Sequence, residues 1–229
     1  MGLDIYVGPL SRYLRGDWKT IVQQAAEQQG IEAQIVREGE QEEPVDAETA
    51  TTVVNGWITG LTEALGGSSR WDDTADGPYV TDKPDWDGYG GIVLLAAFAE
   101  HPELADWDLP AVEFATSPAL AATSDDTRFP TILSGVTWWL PLDAGPVSFE
   151  AGRPGGQTVR IGRLSVLALE VQQLLAHYGW TPQTLEVARE AGPPEGGSGA
   201  MSAGHFGLAA LQPLLSHALG SQQPLVLDY

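Results

Sequence analysis

No cysteine occurs among the 229 residues. Disulfides, thiolate metal sites and cysteine nucleophiles are therefore excluded, and any redox compartment is compatible. Positive charge is nearly as scarce: 11 Lys and Arg face 31 Asp and Glu, a formal net charge of -20. Wrapping nucleic acid requires a basic face that displaces phosphate counterions, and an anionic membrane surface also attracts basic residues, so neither is an expected partner. Histidine is limited to His101, His177, His205 and His217, with no HxxxH or HExxH pair. Without cysteine, that leaves no local transition-metal motif, and no cofactor is expected. A phosphate-binding G-x-x-x-x-G-K-[ST] loop is missing, and no dinucleotide fingerprint follows a strand. No run of about 18 uncharged apolar residues reads as a membrane span. The start, "MGLDIYVGPLSRY", lacks the basic region and apolar core of a signal peptide, and Asp4 interrupts it. A cytoplasmic protein is the expectation.

What is present is apolar enough to build a core, with 43% hydrophobic residues in a chain of one-domain length. "LDIYVG" (residues 3–8) alternates like a half-buried strand, and "IEAQIVRE" (31–38) reads as a second. Between them Asp17 is placed to cap a helix that carries Trp18, Ile21, Val22 and Ala25 and stops at Gly30. Residues 38–48 hold six acids and no base, a solvated loop. A helix follows over 46–65, with Val53, Val54, Trp57, Ile58, Leu61 and Leu65 on one stripe. "GIVLLAAFAEHPEL" predicts a buried helix ended by Pro102. "TILSGVTWWLPL", "PVSFEA" and "QTVRIG" predict strands, two or three of them in an antiparallel meander. Ser165 is placed to cap a helix that ends at Gly179, a last helix spans 206–219 around Pro213, and "PLVLDY" suggests an edge strand. The expected fold is one α+β domain over 1–229: a mixed sheet with a central antiparallel meander and four to five packed helices. Residues 191–204, rich in Gly and Pro, read as a mobile loop.

The chemistry-bearing stretch is "RWDDTADGPYVTDKPDWDGYGG" (70–91), with six aspartates, two tryptophans and two tyrosines. The loop over 66–90 is expected to be ordered, because Trp71, Tyr79, Trp86 and Tyr89 carry too much apolar area to leave in water; burying one aromatic contributes about 2–3 kcal/mol. "DWDGYGG" has the aspartate spacing and glycine of a calcium loop. Counting from Asp85 puts Ala96 where a bidentate Glu belongs, and placing Asp87 fifth puts Lys83 first, so both registers fail and no metal is expected. Carboxylates beside tryptophans also suit sugar binding or glycoside hydrolysis, as at Trp71 with Asp72 and Asp73, or Trp86 with Asp85 and Asp87. The same residues equally cap turns and plug the rim of a core. Ser198 within "GGSGA", seven residues before His205, lacks the strand and helix of a nucleophile elbow. The base groups Arg12, Arg15, Lys19 and Arg153, Arg160, Arg163 either hold an anion or offset nearby acids.

Residues 84–127 carry nine acids and no Lys or Arg, with aromatics interleaved. Such a surface steers and holds a basic protein, through charge for the on-rate and Trp or Tyr for the anchor. The opening "MGLDIYVGPLSRY…GDW", the block "DDTADGPYVTDKPDWDGYGGIVLLAAFAEHPEL" and the helix "IGRLSVLALEVQQLL" resemble a family of uncharacterised bacterial proteins with an MGLDIYVG-type start and a WDGYG element. The resemblance implies one compact unit and brings no catalytic residue with it. The sequence therefore favours a non-enzymatic acidic binding protein, of the immunity or stress-inhibitor type, for a basic protein partner. The alternative is a hydrolase, carbohydrate-active or metal-assisted, that uses aspartates of the 72–87 loop. In either case Trp71, Asp72, Asp73, Asp85, Trp86, Asp87 and Tyr89 are the candidate binding residues; catalytic residues and oligomeric state are left open.

Overall fold

Alternation along the first strand sets both faces of the sheet. In the computed structural model, which describes residues 2–31, 45–66, 71–194 and 199–229, β1 (Asp4–Val7) sends Ile5 and Val7 into one core and Tyr6 into another. Among the described residues, β2 (Val80–Asp82), β3 (Trp138–Leu140), β4 (Ser148–Gly152), β5 (Thr158–Arg163) and β6 (Leu225–Asp228) complete a six-stranded sheet in the order β2-β1-β6-β3-β5-β4. The same parity runs across it: Leu225, Leu227 and Trp139 join Ile5, while Val226, Trp138, Leu140 and Ile161 join Tyr6. β6 is buried between β1 and β3 and not at an edge. Its unbroken "LVL" fits that position, since a strand covered on both faces reads as a continuous apolar run.

Both faces are covered by helices. α1 (Leu10–Leu14) and α3 (Ala47–Ala64) lie on the Tyr6 side, where Val54, Trp57, Ile58 and Leu61 of α3 pack. α4 (Asp85–Glu100), α6 (Leu164–Tyr178), α7 (Pro182–Ala191) and α8 (Ala200–Ser221) lie on the other. α2 (Ile21–Gln28) and α5 (Pro118–Ala122) are peripheral: α2 buries no residue and α5 buries Ala119. This is an α+β architecture with one mixed sheet, and it has eight α-helices among the described residues, where four to five were expected. The extra ones include the five-residue α1 and α5, too short to show a period in sequence.

From Gly91 onward α4 is apolar all round, as its sequence predicts, and most of that part is buried. Ile92, Leu95 and Ala96 face the sheet-side core, and Leu94, Ala97 and Phe98 face Phe114, Ala119, Ala200 and Ala203. Its first turns run against α8 at backbone distance. A Cβ built on Gly207 would lie 2.1 Å from the Gly88 carbonyl oxygen, and one on Gly91 would lie 2.3 Å from the Gly204 amide nitrogen. Only glycine permits two helices to come that close at these points.

Several local expectations need correction. The cap of α2 is Thr20, in a reciprocal box with Gln23, and not Asp17; Asp17 instead pairs with Arg15 at 3.0 Å. α4 begins at Asp85, so the last residues of the acidic stretch are helix and not loop. The cap position of α6 is Arg163, which puts Ser165 inside the first turn. β4 and β5 form an antiparallel hairpin, but β5 inserts between β4 and β3 and runs parallel to β3, so the three strands are not one meander. Residues 200–204 of the Gly/Pro-rich segment open α8, which runs through Pro213. Residues 195–198 and the expected strand at 31–38, beyond Ile31, lie outside the described residues.

The α4–α8 contact predicts opposite signs for two glycine replacements. Gly207→Ala should cost about 2 kcal/mol or more, because backbone must move to admit the methyl group. Gly56→Ala, on the exposed face of α3 with open space around it, should add about 0.5–1 kcal/mol. Urea unfolding of both variants checks this.

Candidate functional site

The acidic stretch divides at β2 into a half that serves the interior and a half that reaches the surface. Residues 71–79 lie across the end of α1. A five-residue helix leaves its first N–H groups without internal acceptors, and Pro9 at the cap position supplies no side-chain acceptor. Asp73 supplies it from afar. Its Oδ2 accepts the Leu10 N–H at 2.6 Å, and its Oδ1 accepts the Ser11 N–H at 3.2 Å and the Ser11 hydroxyl. α1 in turn holds the loop, since Arg12 donates to the Gly77 carbonyl and Arg15 to the Ala75 carbonyl, both at 2.9 Å. Trp71 is only 7% exposed and packs in the Tyr6-side core. Tyr79 stacks on Tyr6 at 5.8 Å beneath the Arg12 guanidinium. Trp71 and Asp73 are therefore structural in their contacts, and Asp72 and Asp76 are the acids of this half that project into solvent.

The second half is the start of α4. Asp85 and Asp87 occupy its first turn, where negative charge is favoured by the helix dipole. Asp85 is held at φ 56°, a left-handed conformation that aspartate tolerates better than most residues, with Lys83 Nζ 3.5 Å from its carboxylate. Trp86, expected to pin the loop, instead stands out: it is 46% exposed and meets the 68% exposed Tyr229 edge to face, with ring centroids 5.2 Å apart. Tyr89 turns inward, packs on the sheet-side core and places its hydroxyl 3.5 Å from the Val136 carbonyl. The fold thus brings Trp86 to Tyr229, with Asp85 and Asp87 on the same first turn of α4, and sends Trp71, Asp73 and Tyr89 elsewhere. Tyr229 was not singled out in the sequence, because only the fold carries the residue after β6 to the start of α4.

Ionisable groups in the interior were also missed. Glu170 is the lone acid in the apolar helix "LSVLALEVQQLL", a signal that was open to reading. It is 1% exposed and accepts the Thr131 N–H at 2.6 Å, the Ile132 N–H at 3.1 Å and the Thr131 hydroxyl, which itself accepts Trp139 Nε1–H at 3.0 Å. Burial pushes its carboxyl up to about 7, against the pull of those three donors. His205 stacks on Trp180 at 4.3 Å, and burial lowers its pKa. Glu170 lines neither of the two open clefts beside Tyr79 and beside β4. Among the described residues, no group of three or more His, Asp or Glu comes together. No helix there is long and apolar enough to cross a membrane. Two open clefts lie away from the Trp86 face: one of about 420 Å³ beside Trp18 and Tyr79, and one of about 730 Å³ beside β4. No family model, curated protein or solved structure matches the chain.

Glu170 yields a pH test. Its folded pKa lies above the ordinary carboxylate value of 4.5, so its contribution to stability is fully present below that value and is lost as pH rises through about 7. The stability of the wild type relative to Glu170→Gln should fall by about 3 kcal/mol between pH 4 and pH 8. Denaturant unfolding across that range checks it; a constant difference would place the carboxyl in an ordinary environment.

Proposed function

We propose that the chain is a non-enzymatic binding protein that holds a basic protein partner, with the start of α4 as its docking face. The observation that carries this reading is the exposed Trp86–Tyr229 pair flanked by Asp85 and Asp87. An edge-to-face aromatic pair presents a large rigid apolar area at low entropic cost, the chemistry of an interface anchor. The surrounding acids supply long-range attraction, strengthened by a net charge of -20. An inhibitor of the immunity type, which covers a basic enzyme, has these properties.

The hydrolase reading needs carboxylates that converge in a concave site. Asp73 is occupied by the amides of α1, and Asp85 and Asp87 stand on the turn of a helix, so no observation favours it.

The test is an affinity capture from the native cell with wild type, Trp86→Ala/Tyr229→Ala and Asp85→Asn/Asp87→Asn as baits. The reading expects a basic protein bound by the wild type. The aromatic double variant should lose at least tenfold in affinity, and the acid variant should weaken mainly in on-rate and mainly at low salt. Binding untouched by both variants would remove this face from the interaction.

A further inference from the structure

Among the described residues β4 ends the sheet, so one of its edges faces no described strand. Which backbone groups point outward follows from the hairpin. In an antiparallel pair, residues that exchange hydrogen bonds with the partner strand alternate with residues that do not. Arg163 donates to the Val147 carbonyl at 3.2 Å and Arg153 to the Gln157 carbonyl at 2.7 Å, and the register pairs Phe149 with Ile161 and Ala151 with Val159 between them. The odd-numbered residues of β4 therefore bond inward, and Ser148, Glu150 and Gly152 turn their N–H and C=O groups away from β5. Gly152 fits this directly: its carbonyl accepts Trp57 Nε1–H at 2.6 Å from outside the hairpin. No such cover reaches the backbone of Ser148 or Glu150 among the described residues.

The side chains of Ser148 and Glu150 lie on the opposite face from Phe149 and Ala151, which pack in the Tyr6-side core. There they line the cleft of about 730 Å³ together with Arg160, Ser124, Asp125 and Ser134. Arg160 is committed, with bonds to the Ser134 carbonyl at 2.7 Å and to Glu150 Oε1 at 3.0 Å. Ser134 Oγ is buried and makes no hydrogen bond. The cleft thus offers free strand-edge groups, an unused hydroxyl and two carboxylates against one guanidinium.

We propose that the outer edge of β4 takes an extended segment of a basic partner protein as an added strand, with a Lys or Arg of that segment reaching the carboxylates of Asp125 and Glu150. Main-chain bonds to Ser148 and Glu150 give the attachment, and alternate side chains of the added strand enter the cleft. The inference rests on the basic-partner reading above but concerns a different surface. A carbohydrate is the less favoured occupant: Phe149 is the one aromatic among the residues lining the cleft, and it packs against the Tyr6-side core.

The probe is the peptide acetyl-TKTKTKT-amide, titrated into the full chain and followed by backbone amide NMR. The expected result is a shift of the Ser148 and Glu150 amides, a loss of at least tenfold in affinity in Ser148→Pro, and no comparable response to acetyl-TETETET-amide. Ser148→Pro deletes an outward N–H and spares the hairpin bonds. Should that variant fail to fold, Asp125→Asn/Glu150→Gln serves instead and should weaken binding at least fivefold. Silence at Ser148 and Glu150, binding unchanged in the variants, or a response of these amides to maltoheptaose and not to the peptide would overturn the proposal. A peptide that shifts only residues around Trp86 and Tyr229 overturns the β4 edge and leaves the basic-partner reading standing.

Discussion

Two backbones touch where α4 crosses α8, and much of the helical side of the sheet depends on that contact. Gly88 meets Gly207 and Gly91 meets Gly204 without side chains between them. The approach lets α4 sink into the molecule, so its outer side chains Leu94, Ala97 and Phe98 find a second apolar layer in Phe114 and Ala119. It also fixes the surface. Trp86 sits two residues before Gly88 on α4, and Tyr229 directly follows β6, the strand after α8. Their ring contact is a readout of how the two helices lie.

The acidic stretch shows how one composition divides between scaffold and surface. A buried carboxylate is stable only with donors around it, and Asp73 finds three in the orphan groups of α1. Glu170 finds three more around Thr131. Asp85 and Asp87 remain in water, where an ion pair such as Asp85 with Lys83 contributes little, about 0–1 kcal/mol. Their charge is therefore cheap to redirect towards a partner.

Periodicity was the legible part of the sequence. The stripe from Val53 to Leu65 gave α3, the all-apolar run after Gly91 gave a buried helix, and the alternation of Leu3, Ile5 and Val7 gave β1. Pairing partners were not legible. Nothing local places the C-terminal "LVLD" between the first strand and "WWL", because that position is decided by non-local hydrogen bonds. The acid block was legible as composition only. Whether Trp71 or Trp86 turns inward depends on where α1 and α8 lie, and both tryptophans have an aspartate beside them in the sequence. The cap at Thr20 was missed for a local reason: Asp17 is also a good cap residue, but the reciprocal bonds of Thr20 with Gln23 fix the start of α2 three residues later.

The central claim is that the acidic aromatic stretch is scaffold at Trp71 and free surface at Trp86. Hydroxyl-radical footprinting of the folded chain, with oxidation of each tryptophan read by mass spectrometry, tests it most directly. Trp86 should oxidise fast, together with Trp107, which is 38% exposed, and Trp71 should stay as protected as Trp138 and Trp139. Oxidation of Trp71 at the rate of Trp86, or protection of both, would contradict that division.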